Sequence, residues 1–399
     1  MNMLTTVNNE TQQILDVLME CATRWKSAKL IIMDEKYISY LNQWCRPCFL
    51  TASTDLEMQL PIVEFTSLEN LQIENNSPGF DYLNIFLICP KLKRYGANFV
   101  SSRPEFLLPD LSHIEEFHVR SEGCLRGPSV GHFLSLMPML RDCLIERFSS
   151  TNDDIDVDAS NHRRPVIPNS SLLTSLSVWT HTFRPYAWID LCLPNLTTLE
   201  VYHPPCTPAN IAHHSDFILL LVSASSLRKL ELKHLAEPMA IDILTSCPSV
   251  TTLSLLIDDL RGVDLFKEMT VAVGQAPIVP KLLSLTICLS VYNFRRANDR
   301  DIGKCQQQLA EALCRLVESR FPELRPPLNS PSTSGELPSY LEHFTLTATH
   351  FSDSNDRFWS GLSLLIARSK SLKQFYGYTK ILQIENKGSI LSKWCIDRR

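Results

Sequence analysis

The chain has 399 residues, of which 44% are hydrophobic, so it is long enough to bury a large core. A net charge of −5 and a pI of about 6.1 argue against the concentrated basic surface that binding to a nucleic-acid backbone requires. The longest purely apolar run, Phe217 to Val222, has six residues, far fewer than a membrane span needs. We therefore expect neither nucleic acid nor membrane among its partners.

The 13 cysteines bear on the cellular compartment. Their number is odd, and no apolar block preceded by basic residues opens the chain as a secretory signal would. Both observations favour reduced thiols over a disulfide framework. We predict a cytoplasmic or nuclear protein.

The N-terminal region, residues 1–55, differs from the rest of the chain. Residues 11–22 predict a helix with an apolar face that includes Ile14 and Leu18. Trp25 and the apolar residues that follow it predict an atypical first strand. We interpret this region as a helix and a cap, because the terminal face of a stacked array must be covered.

Two cysteines in this region, Cys45 and Cys48, stand in the order Trp-Cys-Arg-Pro-Cys, which is typical of thiol redox sites. Such a site needs a helix that begins at the first cysteine, and the residues after Cys48 favour a turn. Zinc binding would need two further ligands at matched spacing, and no second Cys-x-x-Cys exists. A chance pair of cysteines at the edge of a repeat is the preferred interpretation.

One short pattern recurs eleven times: an apolar residue, two others, an apolar residue, one other and an apolar residue. A clear copy is Leu196-Thr-Thr-Leu199-Glu-Val201. The mean period is about 30 residues, close to the length of a leucine-rich repeat. The copies start at Leu68, Leu92, Ile114, Leu140, Leu173, Leu196, Leu227, Val250, Leu282, Leu341 and Leu372.

Each copy predicts a short strand, because its last two apolar residues alternate with polar ones and bury one face. Proline precedes many copies by two or three residues, as at Pro194 and Pro248, and ends the helix ahead of the strand. The connecting segments that predict helices include 214–223, 238–246 and 357–370. The consensus Asn or Cys eight residues after the first leucine is matched by Asn76, whereas most copies lack it. We predict an α/β fold, an irregular leucine-rich-repeat solenoid (horseshoe) with parallel strands on its concave face.

The predicted array covers residues 56–399 and contains two insertions. The first, 149–171, is a polar loop rich in aspartate. The second, 295–337, ends in a proline- and serine-rich stretch of the kind that stays without a packed core. It begins with an amphipathic helix whose apolar residues are Leu309, Leu313, Leu316 and Val317.

Catalytic patterns are weak in this chain. The spacing of Asp154, Asp156 and Asp158 is typical of a calcium loop, but Ala159 and Pro165 stand where glycine and glutamate are needed. The chain contains no nucleophile elbow, phosphate-binding loop or His-Glu-x-x-His motif. We predict no enzymatic activity, no metal and no cofactor.

Three features together point to a known family: the opening Ile14-Leu-Asp-Val-Leu18 followed by Arg24-Trp25-Lys26, the proline-led strands such as 247–255, and the uneven repeat length. In these the chain resembles the leucine-rich-repeat portion of F-box proteins, in particular the large fungal F-box-like family. The resemblance covers nearly the whole chain, although the F-box itself is not evident. It implies a substrate receptor, or a truncated receptor, of a cullin-type ubiquitin ligase, with a Skp-type adaptor and a cullin as partners.

Residues between the buried positions of each strand are predicted to point outward on the concave side of the array, because side chains alternate across a strand. Among them, Trp179 and Tyr202 take equivalent places on successive strands and are predicted to lie side by side. Aromatic residues flanked by charge are typical anchors of protein interfaces. The predicted partner-binding face consists of His118, Arg120, Trp179, Glu200, Tyr202, Glu231 and Lys233.

Several alternatives stay open at this point. The chain is a ligase receptor, a ligase-independent scaffold or inhibitor protein, or a thiol redox or metal enzyme that uses Cys45 and Cys48. A structural alternative is that the insertion 149–171 folds over Trp179 and Tyr202 and buries them. The sequence does not identify the bound protein.

Overall fold

A computed structural model describes residues 9–32, 34–42, 44–49, 57–61, 64–75, 86, 88–98, 111–119, 125–127, 134–150, 172–180, 192–202, 215–233, 237–257, 262–271, 277–290, 299–320, 341–350, 379–386 and 389–397. The chain divides into two compact units, Met1–Asn195 and Leu196–Arg399. The division into a cap, 1–55, and an array, 56–399, stays a prediction.

The first unit opens with helix α1 (Asn9–Glu20), a short 3-10 helix (Ala22–Arg24), strand β1 (Ser27–Ile32) and helix α2 (Glu35–Asn42). Its other strands are β2 (Cys45–Phe49), β3 (Glu57–Pro61), β4 (Asn70–Asn75), β5 (Arg94–Ala97), β6 (Glu116–Val119), β7 (Leu125–Gly127), β8 (Asp142–Ser150) and β9 (Ser175–Thr180). Strands β1, β4, β5, β6, β8 and β9 lie side by side in that order, all parallel, and β7 also pairs with β8. Strands β2 and β3 form a separate antiparallel pair.

The second unit alternates strands with helices. Its elements are β10 (Thr198–Tyr202), α3 (Ser215–Ser223), β11 (Lys229–Lys233), α4 (Glu237–Thr245), β12 (Thr252–Ile257), α5 (Val263–Met269), β13 (Ser284–Ser290), α6 (Asp299–Arg320), β14 (His343–His350), β15 (Thr379–Asn386) and β16 (Ser389–Asp397). Strands β10 to β14 are parallel neighbours in chain order. The direction then reverses, because β16 pairs antiparallel with β14, and β15 pairs antiparallel with β16.

Ten of the eleven predicted repeats lead into one of these parallel strands, so the predicted α/β class with parallel strands is confirmed. The eleventh, at Leu372, lies outside the described residues. A further copy starts at Trp25, with Ala28 and Leu30 as its next apolar positions, and forms β1. The antiparallel pair at the end of the second unit was not predicted.

The same backbone hydrogen bonds link successive repeats. The carbonyl oxygen of Lys26 accepts the N–H groups of Glu69 and Asn70, at 2.8 and 3.2 Å. Equivalent pairs of bonds recur along both units, for example from the start of β13 to the start of β12. One carbonyl thus serves two donors just before each strand, which places equivalent residues opposite one another in register.

In nine of the repeats, the described residue three positions before the first apolar residue is also buried. The N–H of Leu68 bonds to the carbonyl of Phe65 at 3.2 Å and closes a turn, and Phe65 is fully buried. Proline often follows this residue, as Pro248 follows Cys247, because its fixed φ suits a turn. The same position is held by the buried residues Ala22, Cys89, Leu111, Met137, Leu193, Ala224, Cys247 and Val279.

The predicted helices are present where the structure describes them. Segments 214–223 and 238–246 correspond to α3 and α4, and the helix predicted inside 295–337 is α6, with its four apolar residues fully buried. Residues 151–171 and 357–370 lie outside the described part of the chain. Helix α1 is also present, but its predicted apolar face is largely exposed: Ile14 by 61% and Leu18 by 44%.

Among the described residues, the largest fully buried side chain is that of Arg320, the last residue of α6. Its guanidinium donates to the carbonyl oxygens of Met269 (2.9 and 3.0 Å), Ile278 (2.8 Å) and Val279 (3.2 Å). Val279 has a φ of 52°, a conformation that β-branched residues rarely adopt. The arginine therefore holds together the end of α5, a strained turn and the end of α6.

Candidate protein-binding site

Side chains of the second unit alternate between core and surface along each parallel strand. In β10, Leu199 and Val201 are fully buried, whereas Thr198, Glu200 and Tyr202 are partly exposed. Strand β11 repeats the pattern with buried leucines between charged residues. The exposed side chains of these strands form a surface that we call the outward face.

Three predicted residues meet on this face. Register pairs Glu200 with Glu231 and Tyr202 with Lys233 across β10 and β11. The ammonium of Lys233 donates to Oε1 of Glu200 and lies 3.0 Å from Oε1 of Glu231. Glu200, Glu231 and Lys233 therefore form one group, which we call the Lys233 cluster.

The Lys233 cluster is partly removed from water, since each of its three side chains is about one quarter exposed. Desolvation acts to lower the pKa of Lys233, but its hydrogen bonds to Glu200 and Glu231 outweigh desolvation and raise the pKa overall. The lysine stays charged at neutral pH. Two carboxylates and one ammonium leave the cluster with a net charge of −1 held in a defined position, which is suited to recognising a charged partner.

The outward face continues from the Lys233 cluster over the next strands with six side chains, four of which carry a hydroxyl group. At the level of Glu231 the register places Ser254, Thr286 and Thr345. At the level of Lys233 it places Leu256, Cys288 and Thr347.

The first unit has its own outward face, on which ion pairs join neighbouring strands. Nε of Arg94 lies 3.1 Å from Oε1 of Glu116, and Nε2 of His118 lies 3.3 Å from Oδ2 of Asp142. The hydrogen bond from His118 is the main cause of a lowered pKa at Asp142. Exposed pairs of this kind add only about 0–1 kcal/mol to stability, so their greater consequence is the fixed charge pattern they present.

Two residues of the predicted binding face lie wholly or partly outside the described residues. Arg120 lies outside the described residues, and Trp179 lies in β9 with a side chain that is likewise outside them. The predicted contact between Trp179 and Tyr202 therefore stays a prediction.

Ser177, which the alternation predicts to be outward, is buried. Sequence reasoning missed Arg94 and Asp142, although both stand at the third position of the repeat, just before an inward residue.

The Cys45–Cys48 motif lies on strand β2, paired antiparallel with β3 so that Cys45 is opposite Pro61 and Cys48 is opposite Met58. Three residues of extended chain separate their Cα atoms by roughly 10 Å. A disulfide needs Cα atoms within about 7 Å. The backbone therefore lacks the helix start and the close approach that a thiol redox site requires.

Alkylation will test the thiol alternative. Burial raises the pKa of Cys89, Cys247 and Cys314 to about 12 and also raises the pKa of Cys143, whereas Cys21 is exposed. We expect the four buried thiols to react with iodoacetamide at pH 8 at least about 100-fold more slowly than Cys21, because the thiolate is the reacting form. Mass spectrometry of timed samples measures each rate.

In guanidinium, where the chain is unfolded, all of these cysteines should react alike. If Cys45 or Cys48 reacts faster than Cys21 in the native protein, the redox alternative gains support and our interpretation of β2 fails.

The described residues form neither a metal-binding group nor a membrane-spanning helix. Among these residues, no three His, Cys, Asp or Glu side chains are grouped in a way that would bind a metal ion. No helix in the described segments is both long and apolar enough to cross a bilayer. In comparisons with known proteins, no family model matches the chain and no curated protein matches it significantly.

Proposed function

We propose that this chain is a protein-binding leucine-rich-repeat module that uses the outward faces of its parallel strands to hold another protein. The observation that carries the proposal is the alternation of buried and exposed residues within the repeats. The apolar residues are buried in the core, and the residues between them are exposed and lie in register across neighbouring strands. Such a surface offers many polar contacts to another polypeptide.

The charge pattern supports a polypeptide as the partner. The first unit presents both signs at Arg94, Glu116 and Asp142, and the second presents the acidic Lys233 cluster. Mixed signs at fixed positions favour a partner of complementary pattern, and they are unlike the uniform basic surface that binds nucleic acid.

The resemblance to F-box proteins extends the proposal to a role as substrate receptor, or truncated receptor, of a cullin-type ubiquitin ligase. The proposed partners are then the protein to be ubiquitinated, a Skp-type adaptor and a cullin. A ligase-independent scaffold or inhibitor protein is the second candidate, because the outward faces support binding in either case.

Affinity purification of the tagged chain from its own cells, followed by mass spectrometry, tests the proposal. We expect a specific partner whose recovery falls about 10-fold or more with Lys233→Glu, since this change places a third carboxylate beside two others. The double variant Trp179→Ala with Tyr202→Ala should likewise lose the partner, with little change in melting temperature if both residues are surface anchors.

Lys267→Glu is the matched control, because Lys267 is an exposed lysine of α5 that also pairs with a carboxylate, Asp264, at 2.6 Å. Equal losses from Lys267→Glu and Lys233→Glu would contradict the proposed binding face. An adaptor and a cullin among the recovered proteins would support the ligase role. A partner recovered without either would favour the scaffold.

A further inference from the structure

The outward face of the first unit has a glycine between two side chains. Gly96 lies in β5 between the buried residues Tyr95 and Ala97 and therefore faces outward. Register places Gln72 of β4 on one side of it and His118 of β6 on the other, and both of these side chains are exposed at least in part. The missing side chain leaves a gap in this row, which we call the Gly96 notch.

Neither packing against the described residues nor backbone conformation requires glycine at this position. A methyl group at Gly96 would lie 3.7 Å from Cγ of Gln72 and 3.8 Å from the carbonyl oxygen of His118, which are ordinary van der Waals distances. The φ of Gly96 is not left-handed, and register runs from β4 to β6 without a bulge. Since glycine weakens a strand and often marks the close approach of a ligand or another chain, the notch indicates a contact site.

Gly262 shows what a structurally required glycine looks like in this chain. A methyl group there would come within 3.2 Å of Cδ1 of Ile257 and 3.3 Å of Cε2 of Phe266, so the packing leaves no room for it. Gly96 has no such crowding among the described residues. The two glycines therefore provide a matched comparison.

The side chains beside the notch are held by contacts that do not cross it. Nε2 of Gln72 donates to Oε1 of Glu74 at 2.8 Å, along the same strand. Nε2 of His118 lies 3.3 Å from Oδ2 of Asp142 in β8, and β8 lies on the side of β6 away from β5. These contacts fix the two walls and leave the space above Gly96 unfilled.

Carboxylates outnumber cations around the notch. Three carboxylates and two cations give the described charged side chains of β1 to β8 on this part of the face a net charge of −1, with His118 neutral: Lys29, Glu74, Arg94, Glu116 and Asp142. Each carboxylate already has a partner, but its two oxygens offer about four acceptor sites. A further donor that carries a positive charge is therefore the complementary group.

We propose that the Gly96 notch receives an arginine side chain of the partner protein. This inference rests on the proposed function and specifies the partner's chemistry at one point of the outward face. A planar guanidinium can lie flat over Gly96 and donate to carboxylates such as Glu116 and Asp142 at the same time. A lysine ammonium matches the charge without the flat shape, and an apolar side chain fills the space without matching the charge.

The experiment uses a phage library of random 12-residue peptides, first depleted on the Gly96→Thr chain and then selected on the unchanged full chain. Fluorescence anisotropy with synthetic peptides measures the affinity of the enriched sequences. We expect these sequences to share an arginine whose replacement by alanine weakens binding at least 10-fold and whose replacement by lysine weakens it less. Gly96→Thr should weaken binding at least 10-fold and Gly96→Ala by a smaller factor.

Thermal melting separates lost contact from lost fold. Gly96→Ala and Gly96→Thr should melt at or above the temperature of the unchanged chain, whereas Gly262→Ala should melt lower. Ser254→Thr is the control for binding, because it adds one methyl group at an outward position of β12 in the second unit and should leave peptide affinity unchanged.

Several outcomes would overturn the inference: no enriched peptide, enriched peptides without arginine, or a lower melting temperature for Gly96→Ala. A concentration-dependent dimer of the chain alone that Gly96→Thr dissociates would assign the notch to a second copy instead. In the affinity purification, a partner that depends on Lys233 and is kept by Gly96→Thr would overturn this inference alone. A partner that depends on neither residue would overturn the proposed binding face as well.

Discussion

Replacing Arg320 by alanine should lower the free energy of unfolding by about 3–5 kcal/mol. The guanidinium donates four hydrogen bonds to the carbonyl oxygens of Met269, Ile278 and Val279, and the side chain is fully buried. Its removal leaves these buried or partly buried acceptors without this donor, at about 1–3 kcal/mol for each unsatisfied group. Urea denaturation followed by circular dichroism measures the change.

The matched control is Arg315→Ala, because Arg315 lies on the same helix, α6, and is exposed. We expect this change to stay within about 0.5 kcal/mol. Arg320→Lys should recover only part of the stability, since an ammonium cannot reproduce the planar fork that reaches several carbonyls at once. A loss below about 1 kcal/mol for Arg320→Ala would show that the carbonyls find other donors. The hydrogen bonds of Arg320 would then not be needed to hold the ends of α5 and α6 together.

Replacing Phe117 by alanine should destabilise the first unit by about 3–5 kcal/mol. Phe117 is fully buried in β6, and its ring lies 5.5 Å from that of Tyr95 in β5, with an angle of 20° between the ring planes. Register places the two residues opposite each other in adjacent strands. The change therefore removes a large apolar side chain together with its ring stacking on Tyr95, and it leaves a cavity between two repeats.

Hydrogen exchange measured by mass spectrometry locates this effect, because amides of β5 and β6 should lose protection first. Phe117→Leu should cost clearly less, about 1 kcal/mol, since it keeps most of the apolar volume. Leu136→Ala is the exposed control, because Leu136 is 38% exposed. Similar losses of unfolding free energy from Phe117→Ala and Leu136→Ala would contradict the prediction that the buried Phe117 ring stabilises the first unit.

The repeated strands were predictable because their signal is local. In a copy such as 196–201, alternation of apolar and polar residues decides which side of the strand is buried, and only a few consecutive residues are needed to recognise it. The strand after Trp25 was predicted, but as an atypical one and not as a copy of the repeat, because tryptophan replaces the leucine and Ala28 is a weak apolar signal. The buried residue three positions earlier varies from alanine to phenylalanine, so only the proline that follows it was visible.

The candidate site was predictable in part. Alternation placed Glu200, Glu231 and Lys233 on the outward face, but their meeting in one cluster depends on the register between β10 and β11. The pairing of His118 with Asp142 likewise joins residues of different repeats. Neither the length of the connections nor the charges of the residues determines which side chains meet across strands.

By itself, the sequence determined the class of fold, the positions of the parallel strands and the outward direction of residues such as Glu231. These follow from short-range periodicity, because each repeat contains its own pattern of buried positions. Only the tertiary structure decided that the guanidinium of Arg320 is buried, that α1 leaves Ile14 exposed and that β1 lines a cavity together with α1 and α2. Burial and pairing of this kind depend on which distant segments pack together, and that information is distributed over the whole chain.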